Sequence, residues 1–201
     1  MKSKVLAILG SYRRDGVTAQ AAREALAAAR EAGAETELVD LLDARIEFCA
    51  NCRACTQAAG EKRGACPLAD DMAALLDKID AADGLILAAP VNYFNVTALM
   101  RRFMERTVVY AYWPWGAAAP KPRIKKPFKK AVLITSSAMP SVMGRLFTGA
   151  LRALRYAAEG AGAKVAGTQF VGMASLQERQ ALTSGEKRRA RALGRALAVK
   201  L

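Results

Sequence analysis

Apolar positions along this chain fall into two repeating patterns with little between them. Val5, Leu6, Ala7, Ile8 and Leu9 form an unbroken apolar run stopped by Gly10, which predicts a strand buried on both faces. Residues 18–32 follow as an alanine-rich stretch carrying Arg23, Glu24, Arg30 and Glu31 and closed by Gly33, which predicts a helix. The alternation then repeats as strand 35–41, helix 68–82, strand 85–89, helix 97–110, strand 131–135, helix 142–159, strand 164–171 and a last helix. Asp70 and Asp71 are expected in the first turn of the second helix, where carboxylates suit the helix dipole. Gly160 and Gly162 close the fourth helix.

Five apolar strands separated by helices predict a parallel sheet covered on both faces, and right-handed crossovers favour the order 2-1-3-4-5. That is the flavodoxin-like, doubly wound α/β arrangement, whose ligands bind outside the carboxyl ends of strands 1, 3 and 4. Function is therefore sought in the loops 10–18, 89–97 and 135–140. With 201 residues, 53% hydrophobic and 24% charged, the chain is expected to fold as a single domain over 1–201. Two irregular segments interrupt the alternation: a cysteine-bearing stretch, 44–67, and a basic insertion, 113–130, carrying Pro114, Pro120, Pro122 and Pro127. Charges recur too often for a run of the roughly 20 apolar residues that span a bilayer. The start, Met1, Lys2, Ser3 and Lys4 before residues 5–9, is too short in its apolar part for a secretory signal, and a cytoplasmic protein is expected.

Charge adds a second layer. Thirty-one Lys and Arg against eighteen Asp and Glu leave a net charge of +13, which suits an anionic partner. One cluster comprises Lys121, Arg123, Lys125, Lys126, Lys129 and Lys130, in a segment with little apolar surface to bury. The other, Lys187, Arg188, Arg189, Arg191 and Arg195, alternates with Ala190, Leu193 and Leu197 and reads as the solvated side of the last helix. Net charge alone supports nucleic acid as a partner, so none is expected. The absence of histidine excludes His-based triads, His metal ligands and the usual neutral-pH proton shuttle.

The first loop, 10–18, combines Ser11, Arg13, Gly16, Val17 and Thr18 at a strand-to-helix junction. Free amides of a helix start, two hydroxyls and a guanidinium are the elements of a phosphate site, or else an ordinary turn with an N-cap at Thr18. Neither a nucleotide-binding lysine loop nor the three-glycine dinucleotide fingerprint is present, so a terminal phosphate on a mononucleotide fits best. The second loop places Pro90, Val91, Asn92, Tyr93, Phe94 and Asn95 after a buried strand, and the third places Ser136 and Ser137 in a small polar turn. Aromatic rings, amides and close backbone suit a planar heterocycle.

All four cysteines lie in one segment, as Cys49, Cys52, Cys55 and Cys66, the last followed by Pro67. Three thiols at three-residue spacing with a fourth before proline follow the logic of cluster-ligating runs, and Gly60 and Gly64 can turn the chain so that Cys66 returns to the triplet. The interval to Cys66 is long for such a run. A zinc site with four cysteine ligands, a disulfide and free thiols remain as alternatives. Tyr110, Tyr112, Trp113 and Trp115 lead into the basic insertion and suit a lid or a subunit contact, unless the tyrosines are the buried end of the preceding helix.

Together these loops resemble a family. The loop 10–18 resembles the phosphate loop of the NADPH-dependent FMN reductases, and 90–96 resembles the loop of that family along the isoalloxazine. The run Asp70, Asp71, Met72 after a cysteine segment resembles the iron-sulfur flavoproteins and their NAD(P)H-dependent oxidoreductase relatives. The resemblance spans essentially the whole chain and implies a flavin oxidoreductase with FMN as cofactor and NAD(P)H as electron donor. Under it, Ser11, Arg13, Gly16, Val17 and Thr18 hold the FMN phosphate, Pro90, Val91, Asn92, Tyr93, Phe94 and Asn95 line the flavin, and Ser136 and Ser137 contact its ring edge or ribityl chain. It further implies a small electron acceptor, a 4Fe-4S cluster on Cys49, Cys52, Cys55 and Cys66, and a homodimer or homotetramer. A flavodoxin-like electron carrier that never oxidises a nicotinamide is the alternative; the basic balance argues against it, because flavodoxins are usually acidic.

Overall fold

The computed structural model describes residues 2–199; Met1, Lys200 and Leu201 of the expected 1–201 domain lie outside the described residues. Five strands, β1 (Lys4–Leu9), β2 (Glu35–Asp40), β3 (Gly84–Ala88), β4 (Lys129–Ser136) and β5 (Ala163–Val171), form one parallel sheet in the order β2-β1-β3-β4-β5, as the sequence predicts. Leu9 pairs with both Asp40 and Ala88, and Ser136 with Val171, so the carboxyl ends of the central strands finish close to one level. Among the described residues no helix is long and apolar enough to cross a membrane.

Both faces of the sheet are dry because each strand alternates its apolar side chains between two cores. On one face Val5, Ala7, Leu9, Ile86, Val132 and Ile134 meet α1 (Val17–Glu31) and α6 (Ser184–Leu197). On the other, Leu6, Ile8, Leu85, Leu87 and Leu133 meet α2 (Met72–Ala81), α3 (Ala98–Arg106) and α5 (Ala150–Gly160). The many alanines of α1 have a packing reason: a Cβ built on Gly194 of α6 would stand 1.8 Å from the Ala25 carbonyl oxygen, so these two helices touch backbone to backbone. On α6, Lys187, Arg188, Arg189 and Arg195 are exposed as expected, while Arg191 pairs back to Glu24 and Glu31 of α1.

Three helix expectations are corrected. The second helix starts at Met72, not residue 68, because Asp70 turns its carboxylate to the amides of Met72 (3.1 Å) and Glu47 (2.8 Å) and to Arg106 instead of opening a helical turn. The stretch 97–110 is α3 capped by Thr97, followed by a single tighter turn, Thr107–Tyr110. The stretch 142–159 is two helices, α4 (Ser141–Phe147) and α5, separated by extended Thr148. There the Gly149 amide donates to the Phe94 carbonyl at 2.8 Å, a long-range contact that takes the amide away from helix continuation.

The basic insertion is also corrected. Its backbone is irregular up to Phe128 apart from a two-residue pairing of Lys121–Pro122 with Ala111–Tyr112, its last two residues, Lys129 and Lys130, open β4, and two of its cations are interior. Arg123 is buried and donates to the carbonyls of Val109, Ala111, Gly60 and Cys55. Lys129 is buried as well and caps α2 through the Ile79 and Asp80 carbonyls. Tyr110 is the buried end of its helix, with its hydroxyl on Asp80 at 2.7 Å.

Candidate active site and cysteine pocket

A cleft of about 300 Å³ opens at the carboxyl ends of β1, β3 and β4, where the strand order reverses. The first loop supplies Ser11, Tyr12, Arg13, Gly16, Val17 and Thr18 to its wall, the second Pro90, Val91 and Asn92, and the third Ser136, Ser137 and Ala138. The structure thus brings together all five residues expected at a phosphate and both third-loop serines. It also adds Ala174, Ser175 and Gln180, from the segment after β5. Sequence reasoning missed these because nothing marks a loop after an edge strand as cleft wall; Gln20, which donates to the Gln180 carbonyl at 2.8 Å and accepts from the Leu182 amide, ties it there.

The first loop is shaped by its own hydrogen bonds. Ser11 is buried; its Oγ accepts from the Arg13 amide at 3.2 Å, and the Gly16 amide donates to the Arg13 carbonyl at 3.3 Å. The first bond within α1 runs from the Gln20 amide to the Gly16 carbonyl at 3.0 Å, so the amides of Val17, Thr18 and Ala19 precede it at the positive end of the helix dipole. Gly16, not Thr18, is the N-cap. The Thr18 hydroxyl is buried and meets Ser136 Oγ at 2.7 Å, joining the first and third loops. Arg13 is exposed and reaches the Glu178 carbonyl. Thr97, the cap of α3, donates to the Gly10 carbonyl at 2.7 Å and fixes the exit of β1. Amides, hydroxyls and one guanidinium around a cleft fit a phosphate-bearing ligand.

The second loop is a tight hairpin in which Asn92 pairs with Asn95, with Tyr93 and Phe94 at positive φ on its tip. Tyr93, Phe94 and Asn95 are absent from the cleft wall: Tyr93 is 98% exposed, Phe94 57%, and the Asn95 side-chain oxygen accepts from the Val96 amide. Val142, Met143, Leu146 and Phe147 of α4 are exposed as well, and the Gly149–Phe94 bond places that helix next to the hairpin.

The four cysteines line a second, largely apolar pocket together with Leu68, Arg106, Val108, Val109 and Trp113. Asn51 and Arg53 take positive φ on either side of Cys52 and coil the triplet. Gly64 brings the fourth thiol back: a Cβ there would stand 1.7 Å from the Cys55 carbonyl oxygen, so only glycine allows the two backbones to touch. Burial pushes the Cys55 thiol up, with further contributions from neighbouring Cys66, Cys49 and Cys52. None of the four is in a disulfide. Among the described residues no group of three His, Cys, Asp or Glu side chains is drawn together as a metal-ion site. The donor set, four thiols bordering one largely apolar pocket, has the chemistry of a cysteine-ligated cluster.

Trp113 belongs to this pocket and not to the flank of the first cleft. The Arg53 guanidinium sits 3.9 Å from the Trp113 ring and 4.2 Å from the exposed Trp115, and donates to the Trp113 and Pro114 carbonyls. The aromatic arm is thereby docked on the cysteine segment. Arg106, from the end of α3, is 2% exposed and donates to Cys66 Sγ at 3.5 Å. Burial works against the Asp70 carboxyl, but its bonds from Arg106, Glu47 and Met72 hold it below the usual carboxylate range.

The strand order and the cleft at its reversal define a flavodoxin-like protein. Residues 3–177 match the model of the NADPH-dependent FMN reductases, and the chain belongs to that family. An iron-sulfur flavoprotein of Methanocaldococcus jannaschii is 39% identical over 104 residues, which cover 52% of this chain and 51% of that protein. One from Archaeoglobus fulgidus is 35% identical over 111 residues, 55% of this chain and 48% of its own. The chain spans about half the length of the curated relatives it matches. Among solved structures, an NAD(P)H:quinone oxidoreductase from Methanothermobacter marburgensis superposes with a TM-score of 0.74 at 20% identity, covering 98% of this chain and 100% of that one. An FMN-dependent NADH-azoreductase from Bacillus anthracis, solved in complex with FMN, gives 0.72 at 11% identity and covers 98% and 100%. At these identities the structural likeness speaks to the fold.

Proposed function

We propose that this chain is an FMN-dependent NAD(P)H oxidoreductase that passes electrons from a reduced nicotinamide to a small acceptor or to a 4Fe-4S cluster on Cys49, Cys52, Cys55 and Cys66. The observation that carries the reading is the cleft at the switch point, where the start of α1, the Thr18–Ser136 hydroxyl pair and Arg13 surround one space. FMN, when bound, supplies a ring that accepts hydride and releases electrons. The chain's own residues bind and orient. Arg13 and the amides of Val17 to Ala19 neutralise the phosphate, and Pro90, Val91, Asn92, Ser136 and Ser137 border the space left for the ring. Among the described residues, Tyr12 and Arg13 are the only ionisable side chains on the cleft wall, so the protein offers no carboxylate or imidazole there as acid or base, in keeping with hydride chemistry.

α3 links the two sites. Thr97 at its start holds Gly10 beside the cleft, and Arg106 at its end holds Cys66. The nine residues of α3, about 13 Å of helix, thus run from one site toward the other. The exposed apolar face of α4 with Tyr93 and Phe94 suits contact with a second copy, as a homodimer or homotetramer would provide.

The test is anaerobic purification followed by assay of flavin, iron and sulfide, then addition of NADPH or NADH. Bound FMN that bleaches with a nicotinamide supports the reading. FMN that stays oxidised with both would leave an electron carrier, and protein without flavin would remove the cleft assignment altogether.

A further inference from the structure

The cleft chemistry does not use the most deeply buried ion pair among the described residues. Arg106 is 2% exposed and the Asp70 side chain is fully buried. The carboxylate grips the guanidinium at both ends, 2.6 Å to Nη1 and 3.1 Å to Nη2, while Nη1 also donates to the Glu47 carbonyl at 2.8 Å. Asp70 is itself held by the Glu47 and Met72 amides, so the pair has little freedom to reorient. Nη2 has a second direction, and it points at Cys66 Sγ at 3.5 Å, whereas Nε is buried without a partner. Here a buried, fixed cation faces one of four thiols that border the same largely apolar pocket.

Gathering four thiolates concentrates negative charge, and each electron added to a centre bound by them adds more. Hydrogen bonds to the ligating sulfurs and local net charge are among the factors that set the potential of such a centre. We infer that Arg106, locked by Asp70, is a positioning residue that raises the electron affinity of the cysteine-bound centre through its hydrogen bond to Cys66. The inference rests on reading the four cysteines as ligands of one iron–sulfur centre. Asp70 has the opposing role: it supplies the negative charge that moderates the guanidinium, and the two residues act on the centre with opposite sign.

Opposite signs make the idea testable by anaerobic redox titration of the whole protein, monitored by the visible and paramagnetic signals of the centre. At a fixed poise, Arg106→Met is expected to lower the ratio of reduced to oxidised centre by about ten-fold, the scale of losing a hydrogen bond to a charged group. Asp70→Asn, which nearly conserves volume, is expected to raise that ratio, and Arg106→Lys, which keeps the charge but not the planar fork that joins Asp70 to Cys66, to fall between the wild type and Arg106→Met. A role limited to holding the fold would leave the ratio unmoved in variants that fold, or move both the same way, and either result overturns the inference. Wild-type protein grown with ¹⁵N-arginine needs no variant: the reduced centre is expected to show hyperfine coupling to a guanidinium nitrogen, and its absence refutes the contact. Wild-type protein without iron overturns the reading of the cysteines, and this inference with it. Iron-loaded protein lacking both the coupling and the opposed shifts overturns only the role of Arg106.

Discussion

Gly64→Ala tests the return of the fourth cysteine more sharply than removing a thiol, because it alters packing and leaves every donor atom in place. The added Cβ would lie 1.7 Å from the Cys55 carbonyl oxygen, 2.7 Å from its carbonyl carbon and 3.2 Å from its Cα. All three are backbone atoms, so no side chain can swing aside. Restoring ordinary contact requires the two segments to part by about 1.5 Å or more. That movement strains two bonds that hold them: the Gly64 amide to the Val109 carbonyl at 2.8 Å, and Arg123 Nη2 to the Cys55 carbonyl at 3.2 Å. Losing each costs about 1 kcal/mol, with more for leaving part of a buried guanidinium unpartnered, so a total of about 2–4 kcal/mol is expected. For a chain of this size that lowers Tm by roughly 5–15 °C. Thermal melts of FMN-loaded protein measure the first effect, and iron bound per chain after anaerobic reconstitution measures the second, which should fall. FMN affinity should hold, since the cleft shares no wall residue with this pocket among the described residues. A variant that melts with the wild type and takes up the same iron would show that the close approach is not needed.

Three further outcomes follow from particular contacts. Arg13→Ala removes the guanidinium on the cleft wall and should weaken FMN binding about ten-fold by fluorescence titration; unchanged affinity would mean the phosphate lies elsewhere. Arg123→Met should destabilise the fold by about 2–4 kcal/mol, because it strips donors from four carbonyls, and an unaltered urea midpoint would contradict the structural role given to it. Burial holds Lys129 down at about 8 from 10.5, against the opposing pull of Asp80 and Asp83. The unfolded chain therefore binds more protons between those values, and stability should rise with pH across that window by up to about 3 kcal/mol, a rise that Lys129→Met lacks. Equal pH dependence of the two proteins in urea melts would refute this.

Much of the architecture was legible because the physical signals involved are local or periodic. Strands buried on both faces must be continuously apolar, as residues 5–9 and 85–89 are, and five of them linked by helices leave few topologies. That the five first-loop residues and both serines after β4 would border one cleft was legible for the same reason, because the switch point follows from strand order. The gathering of Cys66 with the triplet was foreseeable from two glycines, although which of them touched Cys55 was not.

What the tertiary structure alone decided concerns groups whose partners are distant in the chain. Asp70 looks like a first-turn carboxylate until Arg106, thirty-six residues on, claims it and the helix starts later. The helix expected over 142–159 breaks because Gly149 donates to Phe94, fifty-five residues earlier, and no local propensity encodes that bond. The basic insertion has little apolar surface to bury, yet Arg123 and Lys129 are interior because carbonyls of Gly60, Val109 and Ile79 lie where their side chains reach. The hairpin register that pairs Asn92 with Asn95 puts the Tyr93 and Phe94 rings on its exposed tip, a placement that composition alone does not give. Sequence periodicity determines which face of an element is buried; where a lone polar or aromatic side chain goes depends on which distant donor, acceptor or surface the completed fold places beside it.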